Sequence, residues 1–236
     1  MNRSDLDWKP LALVPLLALI VLPLIGSPST WLTLTVAGLA MGMIIFIIAS
    51  GLTLVFGLMD VLNFGHGVFI ALGAFVATSV LGAMGDWTGS AELWRNLVAV
   101  LPAMLVAMAV AGALGLAFER FIVRPVYGQH LKQILITMGG MIIGEELIKV
   151  IWGPQQIPLP LPEGMRGSLL VGDAAIEKYR LVAVAVGLVV FGVLAWTLSR
   201  TKVGLLIRAG VQDREMVESL GYRIRRLFVG VFVVGS

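Results

Sequence analysis

The sequence predicts an all-α protein, a polytopic bundle of transmembrane helices with a short cytoplasmic coupling helix. Of its 236 residues, 58% are hydrophobic and only 13% are charged, and the mean hydropathy is +0.97. Soluble domains carry about 25% charged residues. The apolar residues also form runs long enough to cross the roughly 30 Å hydrocarbon core of a bilayer. Together these observations exclude a soluble enzyme, a nucleic-acid-binding domain and a disordered segment.

Six long apolar runs follow one another along the chain, and a seventh begins near its end. Helix is the expected conformation for each run, because an open strand cannot satisfy its backbone polar groups in lipid. The six runs are Leu11–Ile25, Trp31–Met59, Val68–Met84, Leu97–Phe118, Leu131–Trp152 and Leu181–Leu198. The seventh extends from Leu227 to Ser236. The proline-rich segment Gly153–Pro162 predicts an extended outer loop, since proline cannot continue a helix.

The first run admits two interpretations. It is short, contains Pro15 and Pro23 and follows basic residues, as the apolar region of a signal peptide would. The sequence after it, Ile-Gly-Ser-Pro at 25–28, is a poor match to the small-residue cleavage sites of such peptides. We therefore interpret this run as an uncleaved first helix.

The distribution of Lys and Arg among the loops predicts the orientation of the chain. Alternating the loops across the membrane puts residues 1–10, 119–132 and 199–226 on one side, with twelve basic residues. The loops 85–96 and 153–180 lie on the other side, with four. Because basic loops stay in the cytoplasm, the N-terminus is predicted to be cytoplasmic. This clustering also accounts for the pI near 9.5 without a nucleic-acid partner.

A short polar segment, residues 59–67 with the sequence MDVLNFGHG, separates the second and third runs. Polar groups within a membrane are costly and are therefore functional candidates. Gly65 and Gly67 would let the backbone leave helical geometry, and Asn63 and His66 could satisfy the backbone groups exposed there. One interpretation is a tight cytoplasmic turn, which the residues alone favour. The other is a broken helix that lines a cavity.

A second polar cluster lies near the end of the fifth run and contains Glu145, Glu146 and Lys149. Glu145 and Lys149 are four residues apart, so they share a helix face and are predicted to pair. We interpret the cluster as an ion pair directed towards the membrane interface. A proton relay is the alternative.

The segment between the sixth and seventh runs is too charged to span a membrane, yet it has apolar helical positions at Val211, Val217 and Leu220. Gly210 opens this stretch, and Gly221 lies where a short helix would stop. Its charges have both signs, whereas a lipid-binding helix would be more uniformly basic. The pattern predicts a short amphipathic helix that docks into a partner protein.

Several chemistries are excluded by missing residues and motifs. The sequence contains no cysteine, so it has no disulfide, thiolate metal site or cysteine nucleophile. It also lacks the patterns G-x-x-x-x-G-K-[ST], H-E-x-x-H and G-x-S-x-G. We therefore predict no catalytic residue, no metal site and no P-loop on this chain. The small-residue pairs Gly38/Gly42 and Gly140/Gly144 predict close helix packing.

Residues 51–67, GLTLVFGLMDVLNFGHG, followed by LGAF at 72–75, resemble the signature of branched-chain amino-acid ABC transporter permeases. The family pattern runs close to G-L-T-L-[VI]-[FY]-G-x-[ML]-x-x-[IL]-N-[FL]-[AG]-H-G, then L-G-A. The resemblance covers the chain from about residue 31 and continues in segments 119–120, 124–128, 136–139, 147–153 and 201–221. Within the last segment, Met216 and Val217 stand where the general coupling pattern of importer permeases has two alanines.

The resemblance implies the membrane permease subunit of an ATP-driven importer, which is not an enzyme and carries no cofactor of its own. The implied partners are the bilayer, a second permease, two cytoplasmic ATPase subunits that bind ATP, and a periplasmic or extracellular solute-binding protein. The implied cargo is leucine, isoleucine, valine or a related solute, and the implied location is the bacterial inner membrane. The alternatives are a family permease for urea, amides or aromatic acids, and an autonomous ion-coupled carrier using Glu145, Glu146 and His66.

Candidate site residues follow from the same resemblance, which favours the cavity-lining interpretation of residues 60–67. The implied translocation-pathway residues are Asp60, Asn63, Gly65, His66 and Gly67. Coupling to the ATPase is implied for the helix Gly204–Gly221. Its candidate residues are Gly204, Arg208, Asp213, Glu215 and Gly221.

We expect the whole chain, residues 1–236, to form a single transmembrane permease domain that includes the coupling segment 199–226. Family permeases continue for several spans beyond that segment, whereas this sequence stops at Ser236, ten residues into the seventh run. Ten helical residues rise only about 15 Å. The chain is therefore expected to be a C-terminally incomplete fragment, with a truncated gene as the alternative, and to be inactive in isolation.

Overall fold

The structure, a computed structural model, describes residues 8–59, 61–222 and 224–236. Its α-helices confirm the predicted all-α class, and each predicted apolar run corresponds to one of them. The helices of the described residues are α1 (Trp8–Ile25), α2 (Pro28–Met59), α3 (His66–Ala83), α4 (Gly85–Thr88), α5 (Leu93–Phe118), α6 (His130–Trp152), α7 (Lys178–Arg200), α8 (Lys202–Gln212), α9 (Arg214–Ser219) and α10 (Ile224–Gly235). A π-helical turn (Glu119–Val123) and a 3-10 turn (Arg124–Val126) follow α5.

Within the described residues, four helical stretches are long and apolar enough to cross a membrane. They are Pro28–Gly57, His66–Ala83, Trp94–Val126 and Lys178–Arg200, and Ala12–Ile25 is a shorter apolar helix. Helix α6 forms as predicted but is not among these four, because charged residues lie near both of its ends. Large apolar side chains are exposed along these helices, with Val150 80% and Leu24 79% exposed. Such surfaces are typical of a protein that lies in lipid.

The chain divides into two compact units, and both α2 and α7 contribute to each of them. The first unit comprises the described part of Met1–Ile45 together with Arg166–Leu188. In it, Nε1 of Trp31 donates a hydrogen bond to the Ala18 carbonyl oxygen at 2.6 Å. Gly187 lets α7 approach α2, since a Cβ at Gly187 would lie 2.5 Å from the Cβ of Met43.

The first unit also contains a β-hairpin that the sequence pattern does not predict. Strand β1 (Ser168–Val171) pairs antiparallel with β2 (Ala174–Glu177), and Val171 lies opposite Ala174. Gly172 in the two-residue turn has φ +60°, which glycine adopts readily. The proline-rich segment before the hairpin is neither helix nor strand between Gly153 and Pro162, as predicted.

The second unit comprises Phe46–Met165 and Val189–Ser236 and contains the candidate site. Its main core cluster joins buried side chains from α2, the α2–α3 linker, α3, the π-helical turn and α10. These residues are Val55, Val61, Phe69, Val123 and Phe232. Asn96, in the first turn of α5, accepts a hydrogen bond from Gly164 N and donates to carbonyls of Trp87 and Ser90. It thereby fixes the loops at that end of α5.

The predicted small-residue packing is found for one glycine pair. A Cβ at Gly140 would lie 2.5 Å from Cε2 of Phe118, and one at Gly144 would lie 2.5 Å from Cγ1 of Val68. Helix α6 therefore approaches α5 and α3 closely at these positions. For Gly38 and Gly42, no described atom outside the local backbone lies within 4 Å of the Cβ position.

Candidate functional site

The segment between α2 and α3 is a return of the chain alongside α2, and α3 begins partway along that helix. Nε2 of His66, the first residue of α3, lies 3.0 Å from the carbonyl oxygen of Ile48. Ile48 precedes the end of α2 by eleven residues, which is about 16 Å along the helix axis. The seven steps from Met59 to His66 can span at most roughly 24 Å, which is enough chain for this return. His66 therefore contacts α2 well before its end, so the irregular linker is longer than a tight turn between adjacent helix ends.

The linker backbone is fixed by side-chain hydrogen bonds, chiefly from Thr137 in the second turn of α6. Oγ1 of Thr137 accepts a hydrogen bond from Phe64 N at 3.3 Å and lies 3.2 Å from the Leu62 carbonyl oxygen. Oδ1 of Asn63 accepts from Gly65 N at 3.0 Å. Both residues are buried, since Thr137 is 0% exposed and Asn63 is 4% exposed. These bonds satisfy backbone groups that no regular structure pairs, which is a condition for irregular backbone within a membrane.

The two glycines of the segment do not have the conformational role that the sequence suggested. Gly65 has φ −73° and ψ −3°, and Gly67 lies within α3, so both have helical or near-helical backbone. Gly65 is instead needed for space, because a Cβ there would lie 3.0 Å from Cζ of Phe118. At Gly67 nothing lies within 4 Å of the Cβ position. The predicted departure from helical geometry occurs before them, in residues 61–64.

A cavity of about 460 Å³ lies where the linker returns along α2, a volume within the range of small-molecule sites. Its walls come from the last turns of α2, the linker and the first residues of α3. The lining residues are Leu52, Thr53, Phe56, Gly57, Val61, Leu62, Asn63, Phe64, His66 and Gly67. Three of the candidate pathway residues, Asn63, His66 and Gly67, therefore share one cavity. Gly65 lines a different groove between α3, α5 and α6, and Asp60 lies outside the described residues.

His66 is buried, with 7% of its surface exposed. A carbonyl oxygen can only accept, so Nε2 carries the proton in the bond to Ile48. In the neutral ring, Nδ1 is then an acceptor, and it has no hydrogen-bond partner among the described residues. The arrangement leaves one buried acceptor without a partner among the described residues, on a residue that lines the cavity.

Glu119 and Gln133 are buried polar residues, and Tyr127 a half-buried one, that no sequence motif marks as a site. Glu119, 2% exposed, lies in the π-helical turn after α5, and its Oε1 accepts a hydrogen bond from the Tyr127 hydroxyl at 2.7 Å. Nε2 of Gln133 donates to the Val126 carbonyl at 3.2 Å, and the Gln133 carbonyl lies 2.7 Å from Oγ1 of Thr137. The cluster therefore adjoins the residue that fixes the linker. The available signal is the presence of polar residues at helical spacing near an apolar run.

The ion pair on α6 differs from the prediction. Nζ of Lys149 lies 2.7 Å from Oε1 of Glu146, three residues away, instead of pairing with Glu145. All three side chains are exposed. His66, which the carrier alternative groups with the two glutamates, is hydrogen-bonded to the Ile48 carbonyl. Within the described chain, no group of three His, Asp or Glu residues could hold a metal ion.

The coupling segment forms two helices, where the sequence suggested one. Asp213, with φ −153° and ψ 97°, interrupts the helix between α8 and α9. Its Oδ1 accepts a hydrogen bond from Met216 N at 2.9 Å, so its carboxylate caps α9. Gly221 follows α9 with φ +87°, as expected for a glycine that stops a helix.

The join between α7 and α8 depends on Gly204. A Cβ at Gly204 would contact the carbonyl oxygen of Leu198 and lie 2.5 Å from that of Thr197. Oγ1 of Thr201 caps α8 by accepting from Gly204 N at 3.3 Å. The close approach therefore sets the angle at which α8 leaves α7.

The buried face of α8 and α9 packs on α10. Val217 forms a cluster with Ile224 and Phe228, and Met59 at the end of α2 packs against it. The other two predicted apolar positions, Val211 and Leu220, are exposed and do not join this face. Arg208 and Asp213 are exposed as well. Glu215 lies within α9, and its side chain lies outside what the structure describes.

Comparison with known proteins decides the family. A family model described as "Branched-chain amino acid transport system / permease component" matches residues 34–236. The chain belongs to this family. The four described helices that are able to span a membrane agree with membership of a permease family.

Permeases of named transport systems are similar to this chain. The high-affinity branched-chain amino acid transport system permease protein BraD of Pseudomonas aeruginosa is 30% identical over 213 residues, 85% of this chain and 66% of BraD. The corresponding LivH proteins are 27% identical over 208 residues in Escherichia coli and 26% over 205 in Salmonella typhimurium. Each match covers 84% of this chain and 65% of LivH, so the chain spans about two thirds of these relatives' length. No solved structure gave a significant match.

Proposed function

We propose that this chain is the membrane permease subunit of an ATP-binding-cassette importer that moves branched-chain amino acids or a related small solute inward. The proposal extends the description of the family to this chain. It includes a location in the bacterial inner membrane with the N-terminus in the cytoplasm. ATP would be bound and hydrolysed by a separate subunit, and no cofactor would be bound here.

The observation that carries the proposal is the irregular linker between α2 and α3 and its 460 Å³ cavity. Transport proteins commonly bind solutes where a membrane helix is interrupted, because backbone and side-chain polar groups become available there. The linker supplies such groups. Two of its backbone amides are satisfied by side chains, Phe64 N by Thr137 and Gly65 N by Asn63. We therefore assign Asn63, His66 and Gly67 to the translocation pathway, with Asp60 and Gly65 as flanking candidates.

We assign coupling to α8 and α9. Their buried face is packed on α10, while Arg208, Asp213 and several apolar side chains, including Leu205 and Met216, are exposed. Exposed apolar and charged residues on one short element form a surface suited to a protein partner. The partner would be an ATPase subunit, and Glu215 on α9 would belong to the same surface. A second permease and a soluble solute-binding protein complete the proposed assembly.

The autonomous carrier receives no comparable support. Its candidate coupling groups are Glu145, Glu146 and His66, yet the two glutamates are exposed and His66 is buried. Glu146 is ion-paired with Lys149, an arrangement that stabilises a helix surface and needs no transport role.

The test is to extract the protein from its native membrane in mild detergent and to identify the co-purifying proteins by mass spectrometry. The same preparation, reconstituted in proteoliposomes with ATP, is then assayed for uptake of labelled leucine, with valine, urea and an aromatic acid as competitors. We expect a P-loop ATPase and a second permease to co-purify, and uptake to require ATP. A chain that purifies alone and transports under an ion gradient without ATP would contradict the proposal.

A further inference from the structure

We propose that the groove between α3, α5 and α6 is a binding site for one anionic phospholipid. An acyl chain would lie in the groove, and the phosphate group would lie among Arg120, Arg124 and Lys132 at one end of it. The inference goes beyond the proposed function, because it requires a membrane but no particular solute, motor or partner permease.

The groove has a volume of about 300 Å³, and each described residue in its wall is apolar or glycine. Phe69 and Phe118 contribute to its inner side, where their rings meet edge to face with centroids 5.3 Å apart. Phe121 also lines the groove and is 73% exposed, so the groove opens at the protein surface. A wall without polar side chains has no hydrogen-bonding partner for a buried amino, carboxylate or amide group. It matches a hydrocarbon chain.

Basic residues lie at one end of this groove. Gly140 is at that end, because its Cβ position is 2.5 Å from Cε2 of Phe118, the last residue of α5, and 3.8 Å from Cδ1 of Ile122. Ile122 belongs to the π-helical turn that also carries Arg120, and Arg124 follows that turn directly. The apolar wall therefore continues into a segment with two guanidinium groups.

Lys132 adds a third basic side chain, from α6. It precedes Ile143, a residue of the groove wall, by eleven residues, which is close to three full helical turns. The two residues therefore lie on the same face of α6. Lys132, Arg120 and Arg124 are all exposed, and none of them has an ion-pair partner among the described residues. Their charges are available to an anion.

Carboxylates do not neutralise this basic end. Residues 120–144 include no Asp or Glu, and Glu119, just before them, is buried and hydrogen-bonded within the protein. Beyond Gly144, towards the other end of the groove, α6 carries the exposed Glu145 and Glu146, and Lys149 pairs with Glu146 alone. A phosphate group is therefore attracted to the basic end and not to the other, which sets the direction of the lipid.

The basic end also lies at the depth of lipid headgroups. The apolar stretch Trp94–Val126 has 33 residues, which rise about 50 Å as a helix. The hydrocarbon core is only about 30 Å thick, so the end of the stretch that carries Arg120 and Arg124 extends to the bilayer surface. In the proposed orientation this end faces the cytoplasm, the side on which basic pockets between membrane helices bind anionic headgroups.

The first experiment maps lipid contacts with two probes that differ in headgroup charge. The full chain is placed in phosphatidylcholine nanodiscs that contain a trace of phosphatidylglycerol or phosphatidylcholine with a photoactivatable diazirine in one acyl chain. Cross-linked residues are identified by mass spectrometry. A double variant, Arg120→Gln with Arg124→Gln, tests the headgroup site. Arg200→Gln with Lys202→Gln is the matched control, because it removes two exposed basic residues outside the groove.

We expect the anionic probe to label Ile143 and Leu147, in the groove, at least tenfold more than the neutral probe does. The reason is that each basic side chain near the bilayer surface favours anionic lipid about fivefold. Ile142 and Val150, exposed on α6 outside the groove, should be labelled equally by both probes. The groove double variant should lose the preference for the anionic probe, and the control double variant should keep it.

Three results would overturn the assignment. Equal labelling of the groove by both probes would show an ordinary lipid-facing surface. Labelling of the other helix faces with none in the groove would show a different occupant, such as a helix of a second protein. A preference for the anionic probe that persists in the groove double variant would show that these guanidinium groups do not hold the headgroup.

A second experiment closes the groove without removing a charge. Ala117 lines the groove, so Ala117→Phe fills part of it with a ring. Ala113→Phe is the control, one turn earlier in α5 at an exposed position outside the groove. Melting temperatures are measured by circular dichroism in neutral detergent, with and without phosphatidylglycerol.

We expect phosphatidylglycerol to raise the melting temperature of the unmodified chain and of Ala113→Phe, but not that of Ala117→Phe. The same increase in all three proteins would contradict the site. Neither experiment measures transport, so failure of the lipid site would leave the proposed function standing.

Discussion

Thr137 shows how a single hydroxyl group supports irregular backbone in an apolar environment. Its side chain is completely buried and faces the α2–α3 linker, where it accepts from Phe64 N and lies within hydrogen-bond distance of the Leu62 carbonyl. Without water to replace them, these backbone groups depend on the hydroxyl. The position of the cavity wall therefore depends on a residue outside the cavity.

We expect Thr137→Val to destabilise the protein by about 1 kcal/mol, because it leaves the partly buried Phe64 amide without its acceptor. Thermal unfolding in detergent, followed by circular dichroism, measures the effect. Thr137→Ser keeps the hydroxyl and should lose much less stability.

Thr78→Val is the matched control for this change. The hydroxyl of Thr78 donates to the Ala74 carbonyl one turn earlier in α3. Its removal should have little effect on stability, because the Ala74 carbonyl oxygen also accepts a backbone hydrogen bond within α3. Equal destabilisation by Thr78→Val and Thr137→Val would show that the linker contact has no special importance.

At the scale of single residues, the sequence identifies Asn63 and His66 because they interrupt an apolar stretch. It does not identify Thr137, Gln133 or Glu119, whose importance arises from a linker or turn that is not adjacent in sequence. Thr137 contacts residues more than seventy positions earlier in the chain, at separations of 73 and 75. A pairwise contact of this kind leaves no mark in local composition, so only the fold reveals it.

At the scale of secondary-structure elements, the geometry of the join between α7 and α8 depends on one glycine, Gly204. We expect Gly204→Ala to destabilise the protein by about 1–3 kcal/mol, because the added methyl group would overlap carbonyl oxygens at the end of α7. Gly192→Ala, within α7, is the control, since nothing lies within 4 Å of its Cβ position. Gain of helix propensity should make this second variant neutral or slightly more stable. The same decrease in melting temperature for both would argue against a steric cause.

Arg208 tests the coupling role of the same segment without disturbing its packing. Its side chain is exposed on α8, so Arg208→Ala should leave expression and melting temperature unchanged. In the assembled complex we expect ATP hydrolysis to continue while leucine uptake falls several-fold, because the contact with the motor is weakened. Lys202→Ala, exposed on the first turn of α8, is the control. Normal uptake in Arg208→Ala would remove this residue from the coupling surface.

Helices are predictable from the sequence because length and apolarity determine them in a membrane protein. The break at Asp213 is less visible, since an aspartate there fits the early part of one helix as well as the cap of a second. The hairpin Ser168–Glu177 escapes prediction, because each of its strands has only four residues. Short strands give too few alternations of polarity to be distinguished from loop.

At the scale of the whole molecule, the charge distribution predicts which segments share a side of the membrane. The substitutions Ser219→Cys, after the sixth run, and Ser168→Cys, in the loop before it, test this prediction in the cysteine-free chain. Both serines are exposed. A membrane-impermeant maleimide applied to intact cells should label the Ser168→Cys variant and spare the Ser219→Cys variant until the membrane is opened. The reverse pattern would invert the assigned topology and put α8 and α9 on the side opposite to an ATPase.

Helix α10 is in contact with both candidate regions of the second unit, the coupling helices and the cavity. Near its first turn, Ile224 and Phe228 pack with Val217 of α9. Farther along the helix, Gly235 meets α2 so closely that a Cβ at Gly51 would lie 2.5 Å from the Gly235 carbonyl oxygen and 3.0 Å from Cε1 of His66. Helix α10 thus contacts both regions along the stretch Ile224–Gly235. In the proposed importer, a displacement of α9 by the ATPase subunit would be transmitted along α10 to the imidazole of His66 without a relay of side chains.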